Sequence, residues 1–210
     1  MFTGIVQDLI SVQAVEHDDG LMRLTLDLGK HTGGLQLGAS VAVNGTCLTV
    51  TRVDQGLVMF DVIAETLRTT NLGDVQIGKL VNVERSFQVG DEVGGHIVSG
   101  HVTATGTVEQ RLVSGHDHVL RLSIAEKWLK FIFHKGFIAL DGASLTVSAV
   151  DRNGGWFEIS LIPETLDRTT LGRVTVGDKV NIEVDSQTVT TVETVERLFA
   201  DPQWRDQLVR

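Results

Sequence analysis

NGTCLTV, residues 44–50, returns 97 positions later as DGASLTV, residues 141–147. The glycine comes back (Gly45, Gly142), and so does the Leu-Thr-Val ending. What changes is the only cysteine of the 210-residue chain, since Cys47 becomes Ser144. The echo extends in both directions. Met1 to Val6 matches Ile97 to Val102, and Glu65-Thr66-Leu67 matches Glu164-Thr165-Leu166. Gly78, Val81, Asn82 and Glu84 match Gly177, Val180, Asn181 and Glu183. The offset drifts from 96 to 99, as expected when insertions fall in loops. Such a period is too long for a solenoid repeat, so the chain is two copies of one domain. The expected division is 1–96, 97–187 and a tail, 188–210.

Each copy reads as β. Residues 41–53, 57–63, 80–86, 98–109, 118–124, 138–151 and 156–162 alternate with period two and are rich in Val, Ile and Thr. Asp54-Gln55-Gly56, Ser114-Gly115 and Asn153-Gly154-Gly155 supply turns between them. About six short strands per copy predict a small closed barrel with Greek-key connections. The fold class is therefore all-β: two similar six-stranded barrels in tandem plus a C-terminal α-helix. Residues 125–135 predict a short helix capped by Gly136, and Glu164 to Leu171 another turn or two. In the tail, Val189, Val192, Val195, Leu198 and Phe199 fall at helical spacing with Glu193, Glu196 and Arg197 opposite. The first copy has no counterpart to this helix, which points to oligomerisation.

The net charge is −9 and there is no basic block, which argues against nucleic acid as a partner. No apolar run reaches the roughly 18 residues of a membrane helix. MFTGIVQDLI lacks the basic and apolar regions of a signal peptide. One cysteine cannot close an internal disulfide, which fits a reducing, cytoplasmic setting.

Along residues 45–51, Gly45, Cys47, Thr49 and Thr51 share one strand face, with Leu48 and Val50 on the core side. Gly142, Ser144, Thr146 and Ser148 repeat the pattern against Leu145 and Val147. Short, hydroxylated side chains make a shelf on which a flat ligand can lie. Gly4 and Gly100 read as mid-strand glycines, where something must approach the backbone closely. The copies differ at Ile5 against His101 and at Gly38 against Lys135. His101 is the acid/base candidate, because a histidine titrates near working pH. His96 and His101 are five apart and point to opposite faces of a strand, and His116 and His118 have no further Cys or His near them, so no metal site is expected. Phosphate-loop, nucleophile-elbow and dinucleotide motifs are missing.

Taken in order, MFTGIVQ, NGTCLTV, ETLRTTNLG, VNVERS, GGHIVSGHV, KGFIALDGASLTV, LIPETLDRTTLG and VNIEVDSQT resemble the riboflavin synthase family of alpha-chain type, from Met1 to about Leu198. The resemblance implies a homotrimer held by the C-terminal helix. It implies dismutation of two molecules of 6,7-dimethyl-8-ribityllumazine, one giving a four-carbon unit to the other, with riboflavin and 5-amino-6-(ribitylamino)uracil as products. No metal or organic cofactor takes part. Lumazine synthase is a candidate partner, and no nucleic acid or membrane is involved. Carried onto this chain, one shelf comprises Gly4, Ile5, Val6, Cys47, Leu48, Thr49, Asp61, Val62, Ile63, Ala64, Glu65 and Thr66. The other comprises Gly100, His101, Val102, Ser144, Leu145, Thr146, Ser160, Leu161, Ile162, Pro163, Glu164 and Thr165. Lys135 would reach a ligand from a neighbouring chain. Phe2, Ser40, Asp141 and Asp185 match positions near the site. The catalytic candidates are His101, Ser144, Cys47, Thr146 and Asp185. The same double barrel occurs in lumazine- or flavin-binding fluorescent proteins without synthase activity, whose second-half motifs are degraded. Here SGHV, DGASLTV and IPETLDRTTLG are intact, which favours the enzyme over the carrier.

Overall fold

The computed structural model describes residues 1–115, 117–202 and 204. His116 lies outside the described residues, and with it the His116–His118 pair, as does the end of the tail. Strands β1 (Asp8–Asp18), β2 (Leu21–Asp27), β3 (Ser40–Val43), β4 (Thr46–Asp54), β5 (Leu57–Ile63) and β6 (Leu80–Arg85) close into one antiparallel barrel in the order β1-β2-β5-β4-β3-β6. Strands β7 (Ala104–Ser114), β8 (Asp117–Ser123), β9 (Phe137–Leu140), β10 (Ala143–Asp151), β11 (Trp156–Leu161) and β12 (Lys179–Val184) repeat that cyclic order in a second barrel. The skip from β2 to β5, and from β8 to β11, is the Greek-key crossing. Helices α1 (Ala64–Thr69) and α3 (Pro163–Arg168) follow β5 and β11. A short α2 (Glu126–Leu129) precedes β9, and α4 (Ser186–Ala200) ends the described fold.

Each barrel has its own core. Met22, Leu24, Leu26, Val58, Phe60 and Val83 pack in the first, and Leu120, Leu122, Ile138, Phe157, Ile159 and Ile182 in the second. Small barrels must bend their strands to close, and matching bulges do this in both copies. The register shifts between Val12 and Ala14, Val50 and Arg52, Val108 and Gln110, and Val147 and Ala149.

Several expected strands come out differently. The alternation over 41–53 and 138–151 hides a hairpin in each copy, turning at Asn44-Gly45 and Asp141-Gly142 with φ of 45°, 75°, 44° and 82°. Two successive left-handed residues suit the right-handed twist of the flanking strands, and Asn-Gly and Asp-Gly tolerate them best. The run expected over 98–109 is a strand only from Ala104 onward. Gly4 and Gly100 are therefore not mid-strand: they lie in irregular leading segments, at φ of 74° and 82°. The bulge in β1 breaks the period of two that would have marked that strand. The expected helix over 125–135 shortens to the four residues of α2.

The barrels meet around a pseudo-twofold axis on which the two hairpin turns sit back to back. A Cβ on Gly45 would fall 2.5 Å from the Gly142 nitrogen, so neither turn admits a side chain there. Buried amides stitch the joint symmetrically. Asn82 Nδ2 donates to the Asp141 carbonyl and Asn181 Nδ2 to the Asn44 carbonyl, both at 2.8 Å. The Asn71 and Thr170 backbone N–H groups donate to Asn181 Oδ1 and Asn82 Oδ1 at 2.6 and 2.8 Å.

Candidate functional site

The two leading segments cross. Residues Phe2 and Val98 pair as an isolated antiparallel bridge, with N–H···O distances of 2.8 and 3.0 Å. Past the bridge, each segment lands on the other copy's barrel. The Ser144 N–H donates to the Gly4 carbonyl at 2.8 Å, and the Cys47 N–H donates to the Gly100 carbonyl at 2.9 Å. A Cβ on either glycine would stand 2.5 Å from the Cβ of the residue it covers. The expected grouping is thus corrected. Gly4, Ile5 and Val6 belong with Ser144, while Gly100, His101 and Val102 belong with Cys47. A local repeat cannot reveal this, because each segment runs past its own barrel before it docks.

Both shelves share a frame. In the first barrel, β4 pairs with β3 through Ser40–Thr49, Val41–Leu48 and Ala42–Cys47. Its pairing with β5 begins only at Val50–Phe60. Before that point Cys47 to Thr49 have no β5 partner, and β5 departs through Asp61 to Ile63 into α1. In the second barrel, β10 and β11 part beyond Val147–Ile159, leaving Ser144 to Thr146 opposite Ser160 to Ile162 and α3. The slot exposes main-chain groups of the kind a planar heterocycle edge can bond. Leu48, Val62 and Leu161 turn their side chains into the cores and offer backbone only. Thr49 and Thr146 are exposed, and Cys47 and Ser144 are half-buried. Arg23 holds Asp61 at 3.3 Å. Exposed Ile63 and Ile162 rim the slots, Ile162 at 64% exposure.

The second shelf carries a group that the sequence reading passed over. His96 Nδ1 lies 2.6 Å from Ser144 Oγ, and its ring stacks on Phe137 with centroids 5.0 Å apart. His96 is only 9% exposed. Burial holds its pKa below the usual histidine range, with the Asp185 carboxylate pulling partly the other way. A neutral imidazole accepting from a serine hydroxyl is the arrangement that makes the oxygen more nucleophilic. The legible signal was Gly94-Gly95 before the histidine: a Cβ on Gly95 would fall 2.3 Å from the Thr3 carbonyl and 2.7 Å from Ser144 Cβ. Only glycine lets this loop pass over the shelf. Among the described residues, no histidine is bonded to Cys47 in this way.

The remaining candidates divide. His101 is exposed at the Cys47 shelf, its N–H bonded to Ser99 Oγ at 3.2 Å. Asp185 caps α4, accepting from the Thr188 N–H and hydroxyl at 2.9 and 2.6 Å. With Phe133, Phe137 and Thr188 it lines a hollow of about 390 Å³ beside the Ser144 shelf. Lys135, exposed at φ 64°, occupies the turn before β9. Ser40 starts β3 opposite Thr49. Phe2 is fully buried between the barrels with Ala42, Val98 and Ala139. Asp141 stands apart from both shelves. It is 2% exposed, and its carboxylate accepts from Asn181 N at 2.8 Å, Asn71 Nδ2 at 2.9 Å and the Thr170 hydroxyl at 3.0 Å. Burial pushes its pKa up to about 6 against those bonds.

Comparison with known proteins bears on the fold and the family. A family model described as the lumazine binding domain matches twice, over residues 3–86 and 99–185. Riboflavin synthase of Escherichia coli (strain K12) is 46% identical over 202 residues, which cover 95% of this chain and 94% of that protein. Riboflavin synthase of Mycobacterium bovis is 44% identical over 201 residues, covering 95% and 98%. Among solved structures, LumP complexed with riboflavin superposes with a TM-score of 0.80 at 24% identity, covering 89% of this chain and all of that one, a likeness of fold. With two matched domains and this identity over nearly its whole length, the chain belongs to the riboflavin synthase family of duplicated lumazine-binding barrels.

Proposed function

We infer that this protein is a riboflavin synthase, a transferase that dismutates two 6,7-dimethyl-8-ribityllumazine molecules into riboflavin and 5-amino-6-(ribitylamino)uracil. The observation that carries the reading is the pair of alike but unequal shelves, within a chain that over nearly its whole length is similar to enzymes of that name. A reaction that consumes one compound in two roles needs two like pockets with different chemistry. Here one shelf offers Cys47, Thr49 and His101, and the other offers Ser144, Thr146 and His96.

In this reading the slot backbone and the leading glycines hold the pyrimidine edge. His101 moves the acidic proton of the C7 methyl group, whose carbanion delocalises into the ring. Ser144, or a water it holds, adds to C7 of the donor, with neutral His96 taking the serine proton. Cys47 and Thr49 orient the partner molecule. Holding the two rings in register supplies the effective-molarity gain of positioning.

The shelves of one chain face shelves of its neighbours in a homotrimer in this proposal, with Lys135 reaching across and the work done in the cytoplasm. Exposed Ile5, Ile63, Phe137 and Ile162 around the slots support such a covering. So do Val195 and Phe199, exposed on α4.

The test is direct. Purified protein mixed with the lumazine alone should form riboflavin, and a bound but unconverted ligand would identify a carrier instead. His101→Gln should lower turnover about 100-fold, the low end for general acid–base catalysis, with lumazine affinity within a few-fold of wild type. Unchanged turnover would remove His101 from the mechanism.

A further inference from the structure

Glu84 and Glu183 recur at equivalent positions, and each meets a shelf only through the backbone of a leading segment. Each lies on the outer face of the last strand of its barrel, buried. Glu84 Oε1 accepts from the Thr3 N–H at 2.7 Å and the Thr3 hydroxyl at 2.9 Å, and Oε2 accepts from the Gly4 N–H at 3.1 Å. Glu183 repeats this with the Ser99 N–H at 2.7 Å, the Ser99 hydroxyl at 2.7 Å and the Gly100 N–H at 3.0 Å. Three donors thus converge on each carboxylate. The next polar group along each segment is the glycine carbonyl that binds the opposite barrel's shelf.

We propose that the two glutamates are crossed positioning residues: Glu84, on the first barrel, sets the Ser144 shelf of the second, and Glu183, on the second, sets the Cys47 shelf of the first. The function of the shelves rests on the riboflavin synthase reading, but the crossed control does not.

Two further contacts carry the clamp into the chemistry. The Thr3 carbonyl is one wall of the glycine loop that delivers His96, standing 2.3 Å from where a Gly95 Cβ would be. Ser99 Oγ, held by Glu183, in turn accepts the His101 N–H at 3.2 Å. An acceptor-only group is required, because a glutamine would aim an NH2 at one of the backbone N–H donors. Burial raises the pKa of both carboxyls, and the backbone and hydroxyl bonds from Thr3 and Ser99 oppose that rise.

The single cysteine provides a local reporter that needs no substrate, so its outcome is separable from that of the enzymatic reading. In the folded full-length protein, Glu183→Gln should speed iodoacetamide alkylation of Cys47 at least fivefold. Glu84→Gln should leave it within twofold. Moving the reporter, in a Cys47→Ser, Ser144→Cys background, should reverse the pattern: Glu84→Gln speeds labelling and Glu183→Gln does not. Should a glutamine variant fail to fold, Ser99→Ala and Thr3→Val remove one donor each and should show the same crossed pattern, more weakly. Both reporters rising together in either variant would mean general loosening and overturn the proposal. So would each glutamate acting on its own barrel's reporter.

Discussion

Cys47 and Ser144 occupy equivalent places, and their surroundings differ more than their side chains do. Both have a glycine carbonyl on their N–H, but Ser144 has a buried imidazole on its oxygen, whereas Cys47 has only an exposed His101 in the adjoining segment. Because burial disfavours the charged ring, His96 takes up its proton at a lower pH than a free histidine does. His96→Ala should lower turnover about 100-fold, and the acid limb that His96 contributes to the wild-type pH–rate profile should fall below the pH of a free histidine's titration. Asp141 makes a separate prediction. Its folded pKa of about 6 stands above the ordinary 3.8, so its protonated form is the better folded one. The stability it contributes is full below pH 3.8 and lost as pH rises through about 6, on the order of 3 kcal/mol in all. Asn44 already serves at the equivalent position, so Asp141→Asn should fold. Urea titrations at pH 4 and pH 7 should show a smaller drop for the variant than for wild type.

At the scale of elements, each hairpin turn does two jobs. Its left-handed Asn-Gly or Asp-Gly pair reverses the chain, and its missing Cβ lets the other turn press against it. The strand that follows then presents alternate residues to core and slot. Among the described residues, helix α4 follows the second barrel with no counterpart after the first. Asp185 caps it, Val189 and Val192 rest on the second barrel, and the Lys130 ammonium reaches Glu196 at 2.5 Å. Val195 and Phe199 project outward from it. Both side chains are about half exposed, so replacing them with aspartate removes little packing within the chain. The trimer proposed above should then sediment as monomers while the melting transition of the barrels holds. A trimer that survives would place the contact elsewhere.

For the whole molecule, the barrels are joined by reciprocal connections: turn on turn, amide on carbonyl, and leading segment on the opposite shelf. Gly45→Ala tests the first of these. It must place a Cβ at φ 75° and 2.5 Å from the Gly142 nitrogen, so the barrels must part. Left-handed strain of about 1–2 kcal/mol is the minimum expected in urea unfolding, with the clash added to it. A loss below 0.5 kcal/mol, by contrast an ordinary surface effect, would show that the turns do not bear on each other.

The repeat, the barrel class, the core-facing Leu48, Val50 and Val147, and the slot-facing Cys47, Thr49 and Thr146 were all legible in the chain. Each follows from local alternation or from a motif compared with its copy. The tail helix was legible for the same reason. What tertiary structure alone decided is which pieces belong together. His101 goes with Cys47, Gly4 with Ser144, and His96 closes over Ser144. Asp141 leaves the site for the barrel joint. These pairings join residues roughly 50 to 140 positions apart across a pseudo-twofold axis. Periodicity reports only which face a residue takes on its own strand. Which surface that face meets is set by how two closed barrels dock and exchange their leading segments.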